Sequence, residues 1–456
     1  MPDDQPRVPV PRNATVTLPI PITPPEALIL AVSRHRDDRY AEAGAIYEAI
    51  LAVDPEYADA LHFSGVLAYH QGRQEEALRL IERARALIPE HPDVHVNLGN
   101  VYRTAGRLDE ACDCYRRAIE LNPEEASAYY NNLGATLRVM DRCPEAEEAL
   151  KRSLELSPDN APALQNLGNV YRQQKRYREA ATVYRRAIAK HPYDFECYRH
   201  LAITMYAMDE RDEAIALLRQ WLELQPSNPT ARHLLAAYTG DDVPDQATQS
   251  YVRETFAGFA ASFDRVLEGL QYRAPQLIAD AVAAVLGPPP AEPRLDVIDT
   301  GCGTGLCGVL LKPYARRLIG VDLSPEMLAH ARAREIYDAL DEAELTAYLA
   351  ALTEPCDLLV SADTLCYIGR LEPVFAAAAH ALRPGGWLFF TVERSQPPDD
   401  ASAFALHVHG RYSHAEPYIR TALESGGFRI ETLATVDLRR EKDESVAGLL
   451  VAAQRI

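Results

Sequence analysis

The chain has 456 residues, of which 47% are hydrophobic and 25% are charged, so it can form the cores of more than one domain. Its formal net charge of −19 disfavours contact with a phosphate backbone, and we expect no nucleic-acid partner. The sequence has no apolar run of membrane-spanning length and no secretion signal, which predicts a cytoplasmic protein without a membrane partner.

The first 23 residues have a proline every few positions and no hydrophobic period, which predicts a flexible arm. The chain then repeats itself. Six prolines recur at a nearly constant interval, and a fixed distance before each lies an alanine, itself preceded at the same distance by glycine or alanine. Small residues let two antiparallel helices pack closely, and the proline ends the second helix. The prolines are Pro55, Pro89, Pro123, Pro158, Pro192 and Pro226.

This pattern resembles the tetratricopeptide repeat. The resemblance implies an α-helical solenoid of six repeats and a capping helix over residues 24–238. A short polar break then predicts a linker at residues 239–249 and a second domain at residues 250–456. In the segment that opens this domain, Phe256, Phe259 and Phe263 have helical spacing.

Polar residues also recur at equivalent positions of the repeats. Side-chain amides can hold an extended peptide backbone, and arginine side chains select carboxylates or phosphates. The arrangement resembles the asparagine ladders of some repeat-containing glycosyltransferases and predicts a protein or peptide partner in a repeat groove; a solvated surface is the alternative. The predicted peptide-binding residues are Asn97, Asn100, Arg103, Asn132, Arg138, Asn166, Asn169 and Arg172.

A glycine-rich turn follows a predicted strand at Asp296–Leu306 (DVIDTGCGTGL), and the next strand ends at Asp322. The glycines let the backbone approach a ligand at a helix N-terminus, and Asp322 can accept hydrogen bonds from a ribose diol. The GxGxxG at Gly303–Gly308 raises a nicotinamide or flavin site as the alternative. Asp299, just before the first glycine, decides against it because a carboxylate suits a cationic ammonium and repels a pyrophosphate.

These residues resemble the first motif of the class I S-adenosylmethionine-dependent methyltransferases. Cys356–Ile368 and Leu382–Val392 are similar to that family's fourth and fifth strands, and Phe428–Val436 and Ala447–Gln454 suit the antiparallel pair that closes its sheet. The resemblance implies a Rossmann-like domain with a seven-stranded mixed sheet after the α-helical solenoid. It also implies S-adenosylmethionine as the cofactor and methyl transfer as the activity.

The resemblance further implies which residues hold the cofactor, beneath a lid helix that contains Phe263 and Asp264. An acidic residue of the third strand, at Tyr337–Leu345, is expected near the adenine amine; Glu344 is the closest match, and Glu342 competes with it. The cofactor-binding residues implied are Asp299, Thr300, Gly301, Cys302, Gly303, Gly305, Asp322, Leu323, Met327, Glu344, Leu345, Ala362 and Asp363.

Polar residues near the expected acceptor cleft give four candidate catalytic groups. They are Tyr367, Arg411, Tyr412 and His414, with His414 as the candidate base. The histidine spacing in this segment does not fit common metal sites, so no metal is predicted. The alternative is a loop whose histidines and arginine form only local hydrogen bonds.

Two classes of function remain open. The first is a methyltransferase whose acceptor is a protein or peptide recruited by the repeats, or a small molecule, with the repeats then used for oligomerisation or regulation. The second is a non-catalytic adaptor that binds the cofactor. The intact glycine turn, with Asp299 and Asp322, favours the enzyme.

Overall fold

The computed structural model describes residues 22–257, 263–396, 402–441 and 444–456. Residues 1–21 of the expected proline-rich arm lie outside this set. The chain divides into two compact units, Met1–Glu210 and Arg211–Ile456. No helix in the described part of the chain combines the length and the apolar character that a membrane span requires.

The first unit is built from helices that pack in antiparallel pairs, as the repeat pattern predicts. The glycine of the four middle repeats is required by this packing: a Cβ atom at Gly99, for example, would lie 2.7 Å from the ring of Tyr115 on the paired helix. The helices of this unit are α1 (Pro24–Arg36), α2 (Tyr40–Val53), α3 (Ala58–His70), α4 (Gln74–Leu87), α5 (Pro92–Thr104), α6 (Leu108–Leu121), α7 (Ser127–Val139), α8 (Cys143–Leu156), α9 (Ala161–Gln173), α10 (Tyr177–Lys190) and α11 (Phe195–Ala207).

The second unit begins earlier than the sequence boundary at residues 239–249. It includes the last helix pair, because His233 on the second of these helices stacks on Tyr251, with ring centroids 4.1 Å apart, and Thr230 donates a hydrogen bond to Glu254. The helices of this unit are α12 (Arg211–Leu224), α13 (Pro229–Thr239), α14 (Gln249–Ala257), α15 (Phe263–Gly269), α16 (Ala274–Leu286), α17 (Leu306–Leu311), α18 (Pro325–Ala333), α19 (Leu345–Ala351), α20 (Glu372–Ala381) and α21 (Glu416–Ser425).

A mixed β-sheet forms the centre of the second unit. Seven of its strands lie in the order β3-β2-β1-β4-β5-β9-β8. The strands from β3 to β5 pair in parallel, whereas β5 with β9 and β9 with β8 pair antiparallel. The strands are β1 (Leu295–Thr300), β2 (Ala315–Asp322), β3 (Ala339–Glu342), β4 (Cys356–Ser361), β5 (Leu382–Arg394), β6 (Phe404–Leu406), β7 (Tyr412–His414), β8 (Phe428–Glu441) and β9 (Glu444–Arg455).

The expected count of seven strands is corrected to nine among the described residues. The two additional strands are the hairpin of β6 and β7, in which β7 pairs in parallel with Glu393 and Arg394 at the end of β5. Each has only three residues, too few to give a readable alternating pattern.

Both faces of the sheet are covered, and this explains its nearly continuous apolar strands. Val297 of β1 and Phe389 of β5 pack into one core with Ile278 of α16. Their neighbours Ile298 and Phe390 point into a second core on the opposite face. The carboxyl ends of the parallel strands therefore meet at one edge of a sheet that is buried on both sides.

Candidate functional site

A cavity of about 260 Å³ lies in the second unit, at the carboxyl ends of β1, β2, β3 and β4. In open parallel sheets this edge is where ligands bind. Nine of the predicted cofactor residues line it: Gly301, Gly303, Asp322, Leu323, Met327, Glu344, Leu345, Ala362 and Asp363.

The glycine turn is fixed to the end of the second strand. Gly301 and Gly303 have positive φ angles of 69° and 55°, a conformation that favours glycine. The main-chain N–H of Gly303 donates a hydrogen bond of 2.8 Å to Asp322, whose other oxygen accepts one of 2.9 Å from the N–H of Ser324. These bonds hold the Asp322 carboxylate at the cavity wall, where burial raises its pKa.

Asp299 does not line the cavity. Its carboxylate is buried beneath the glycine turn and accepts a hydrogen bond of 2.7 Å from the hydroxyl of Tyr337, while its second oxygen has no partner. Burial raises the pKa of Asp299 to about 7. Its position therefore differs from the direct cofactor contact that the resemblance implied. Three other predicted cofactor residues are also absent from the cavity wall: Thr300, Cys302 and Gly305.

The two candidate carboxylates of the third strand have separate partners. Glu344 caps α19, because its carboxylate accepts hydrogen bonds from the N–H groups of Thr346 (3.0 Å) and Ala347 (2.8 Å). Glu342, the last residue of β3, forms an ion pair of 3.0 Å with Arg253 of α14. Of the two, only Glu344 lines the cavity.

Helices α14 and α15 contribute one wall of the cavity through Phe256 and Phe263. Asp264 of α15 accepts a hydrogen bond of 2.5 Å from Thr304, which belongs to the glycine turn, and pairs with Arg334 at 2.5 Å. The segment expected to lie over the cofactor is therefore bonded to the glycine turn. Residues 258–262, including Phe259, lie outside the described residues.

A buried network of charges forms the other end of the cavity. Arg439 of β8, which is 4% exposed, pairs with Asp363 at 2.6 Å and with Glu441 at 2.8 Å, and it also contacts Glu393. Arg411 pairs with Glu393 and Glu441, both at 2.6 Å. Burial opposes ionisation of Glu393, but the two arginines lower its pKa to about 2. Arg439 and Glu441 were missed by the sequence analysis, because β8 carries no motif that marks them.

Asp363 is the carboxylate of this network that lies just after β4. Its backbone has a φ of 56°, uncommon for a residue with a side chain, and its N–H donates to Thr391 at 2.9 Å. One carboxylate oxygen pairs with Arg439, whereas the other is buried without a hydrogen-bond partner. Burial raises the pKa of Asp363 to about 6, against the opposing effect of Arg439. Asp363 is also one of the residues that line the cavity.

The four predicted catalytic residues separate into two pairs. Tyr367 and Arg411 line the cavity. Tyr412 and His414 do not: the Tyr412 hydroxyl donates to the carbonyl oxygen of Pro244 (2.8 Å), and the His414 ring donates to the carbonyl oxygen of Ile368 (2.9 Å). His414 is fully buried, and burial lowers its pKa to about 4. The structure therefore corrects the expectation that both residues orient an acceptor.

The predicted asparagines of the ladder in the first unit form hydrogen bonds with polar side chains of the same and neighbouring repeats. Asn166 donates to Asn131 at 2.9 Å, and Asn97 contacts His62 at 2.8 Å. The ladder bond from Asn132 to Asn100 is longer, at 3.4 Å, and the hydroxyls of Tyr115 and Tyr184 donate to Asn100 and Asn169. Arg103 is exposed, while Arg138 and Arg172 are partly buried.

Comparison with known proteins agrees with this geometry. A methyltransferase domain profile matches residues 298–390, and tetratricopeptide repeat profiles match residues 30–93, 90–159, 124–190 and 171–238. The chain combines tetratricopeptide repeats with a methyltransferase domain.

Individual relatives resemble parts of the chain. Methyltransferase-like protein 27 of Homo sapiens is 35% identical over 115 residues, covering 25% of this chain and 44% of that protein. A probable S-adenosylmethionine-dependent methyltransferase of Saccharomyces cerevisiae is 27% identical over 136 residues, covering 28% and 45%. The chain thus spans less than half the length of each.

Among solved structures, the magnesium protoporphyrin IX methyltransferase of Synechocystis, with bound S-adenosylhomocysteine, has 19% identity and a TM-score of 0.36. The similarity covers 46% of this chain and 99% of that one.

Proposed function

We propose that this protein transfers a methyl group from S-adenosylmethionine to a protein or peptide that its repeats recruit. The observation that carries the proposal is the cavity at the carboxyl ends of the parallel strands, which Asp322 and Asp363 both line. The name of the similar yeast protein, a probable S-adenosylmethionine-dependent methyltransferase, supports the choice of cofactor.

The residues at the strand ends fit this cofactor. Asp322, already held by two main-chain N–H groups, has lone pairs left to accept hydrogen bonds from the ribose hydroxyls. Leu323 and Met327 provide an apolar surface for the adenine. Gly301 and Gly303 leave room for the backbone to approach the amino-acid end. Asp299 acts from beneath this turn, by holding Tyr337 against it.

The charge of the cavity wall suits a cationic cofactor and a proton-bearing acceptor. Three carboxylates, those of Asp363, Glu393 and Glu441, face only two guanidinium groups, those of Arg411 and Arg439, which leaves one excess negative charge. S-adenosylmethionine supplies a methyl group already activated on a sulfonium. The chain has to position an N–H or O–H nucleophile and remove its proton, and the candidate base is the carboxylate of Asp363, which lines the cavity and has a pKa of about 6.

The proposal is tested by incubating the protein and cell extract with S-adenosylmethionine labelled in its methyl group. The wild type should place label in the protein fraction. Asp363→Asn should bind the cofactor but lose most of the transfer, whereas Asp280→Asn, an exposed position on α16, should match the wild type. Label confined to small molecules would favour the small-acceptor alternative, and cofactor binding without any transfer would favour the adaptor.

A further inference from the structure

Two arginines of the first unit have buried donors without acceptors. Arg138 on α7 and Arg172 on α9 hold equivalent positions in consecutive repeats. The Nε atom of each is buried and has no hydrogen-bond partner. Among residues 22–210, no carboxylate forms an ion pair with either of them, although neighbouring arginines such as Arg142 and Arg176 do pair with glutamates.

His200 extends this set to the next repeat. It lies on α11 and holds the ladder position there, the position that Asn166 holds in the preceding repeat. Its side chain is more than nine-tenths buried, with 8% exposure. The guanidinium of Arg199 can only donate, so its 3.3 Å contact makes Nε2 of His200 an acceptor and places the ring hydrogen on Nδ1. That Nδ1 atom is buried and has no partner either.

We propose that Arg138, Arg172 and His200 form a site for an oxyanion, and that its ligand is a carboxylate of an acidic peptide segment. The inference deepens the recruiting role proposed for the repeats, on which it rests. Three buried N–H donors without an acceptor are costly, and two of them belong to cations. Carboxylates bound along this row accept hydrogen bonds from these donors and offset the positive charge.

The electrostatics of the three side chains agree with this site. Burial and the charge of Arg172 lower the pKa of Arg138, so the two cations repel each other when no anion separates them. Burial and the nearby arginines lower the pKa of His200 to about 2, so its ring stays neutral and acts as a hydrogen-bond donor at neutral pH. The site therefore needs no protonation step to bind its ligand.

A peptide carboxylate fits the surroundings better than a free ion. Asn166, on the same helix as Arg172, donates to Asn131 of the preceding repeat, so the site continues a row of amides that can contact an extended backbone. Arginines in consecutive repeats match acidic side chains spaced along one segment. A phosphate offers the same oxyanion chemistry, and the experiment separates the two.

The test measures fluorescence anisotropy of a labelled oligoglutamate peptide with the full-length protein at low salt. Arg138→Gln and Arg172→Gln should each weaken binding about tenfold, the value of one charge-assisted hydrogen bond. His200→Leu should weaken it by a smaller factor. The matched control is Arg178→Gln, which removes an exposed arginine of α10 outside the predicted peptide-binding set and should change binding less than twofold.

Several results would overturn the site. They are equal binding of an oligoglutamine peptide, wild-type affinity in both arginine variants, or no binding by the wild type. If inorganic phosphate displaces the peptide and binds more tightly than the peptide does, the ligand of the site is a phosphate and not an acidic peptide. Circular dichroism checks that each variant is folded. Titration of S-adenosylhomocysteine on the same samples keeps failure of this site distinct from failure of the proposed methyl transfer.

Discussion

The ring of His233 in α13 donates a hydrogen bond of 2.9 Å to the carbonyl oxygen of Gly410, in the loop before β7. Gly410 has a φ of 81°, and a Cβ atom there would lie 2.0 Å from the hydroxyl oxygen of Tyr251. The helix that the sequence assigns as the cap of the repeats is thus built into the second unit. It packs on α14, whose Phe256 lines the cavity.

This relationship predicts that a fragment from Arg211 is more stable than one from Gln246. The shorter fragment loses the bonds of His233 and Thr230 and the ring contact with Tyr251, which together are worth about 2–4 kcal/mol. Thermal unfolding of the two fragments measures the difference. His233→Ala in the longer fragment should reproduce part of it. Equal melting temperatures would mean that α12 and α13 add nothing to the second unit.

Two glycines with positive φ angles, Gly301 and Gly240, should respond very differently to substitution by alanine. Gly301→Ala should destabilise the second unit by about 2–4 kcal/mol and abolish cofactor binding, because the added Cβ would lie 2.1 Å from the Thr364 hydroxyl. Gly240→Ala also requires a positive φ, 77°, but meets nothing within 4 Å and should cost about 1 kcal/mol. Similar losses in the two variants would show that only backbone strain matters at Gly301.

The buried carboxyl of Asp299 should make the stability of the second unit depend on pH. Its pKa is raised from 3.8 to about 7, so the stability gained by protonation in the folded state is present below about pH 4 and is lost as the pH rises through 7. Relative to Asp299→Asn, the wild-type free energy of unfolding should therefore fall across this range, by at most a few kcal/mol.

Tryptophan fluorescence during urea unfolding measures this effect selectively. The two tryptophans of the chain, Trp221 and Trp387, both lie in the second unit. Asp280→Asn, which removes an exposed carboxylate of the same unit, is the control for the loss of one carboxylate. A pH-independent difference for Asp299→Asn would contradict the raised pKa of this carboxyl.

The parts of the fold that depend on local pattern were predicted from the sequence. The repeat period places glycine where two helices cross, as Gly99 does against Tyr115, and the glycine turn with Asp322 marks a strand–turn–helix unit. The antiparallel pair at the end of the chain was readable because β8 and β9 are long.

Contacts between residues that are far apart in the sequence could not be predicted from local pattern. Arg439 reaches Asp363 only because β8, β9 and β5 are neighbours in the sheet, and nothing in its own segment indicates that contact. The structure gives a geometric reason for the misplacement of Tyr412 and His414. Side chains alternate along β7, so these two residues share one face of the strand and neither shares a face with Arg411.

The account depends most directly on whether the cavity binds the cofactor through Asp322. Calorimetric titration with S-adenosylhomocysteine should show binding by the wild type and by the control Asp280→Ala, and no binding of NAD. Asp322→Ala should lose about 1–3 kcal/mol of binding free energy, because the ribose hydroxyls lose a charged acceptor. Wild-type affinity in Asp322→Ala, or binding of NAD in its place, would contradict the assignment of the site.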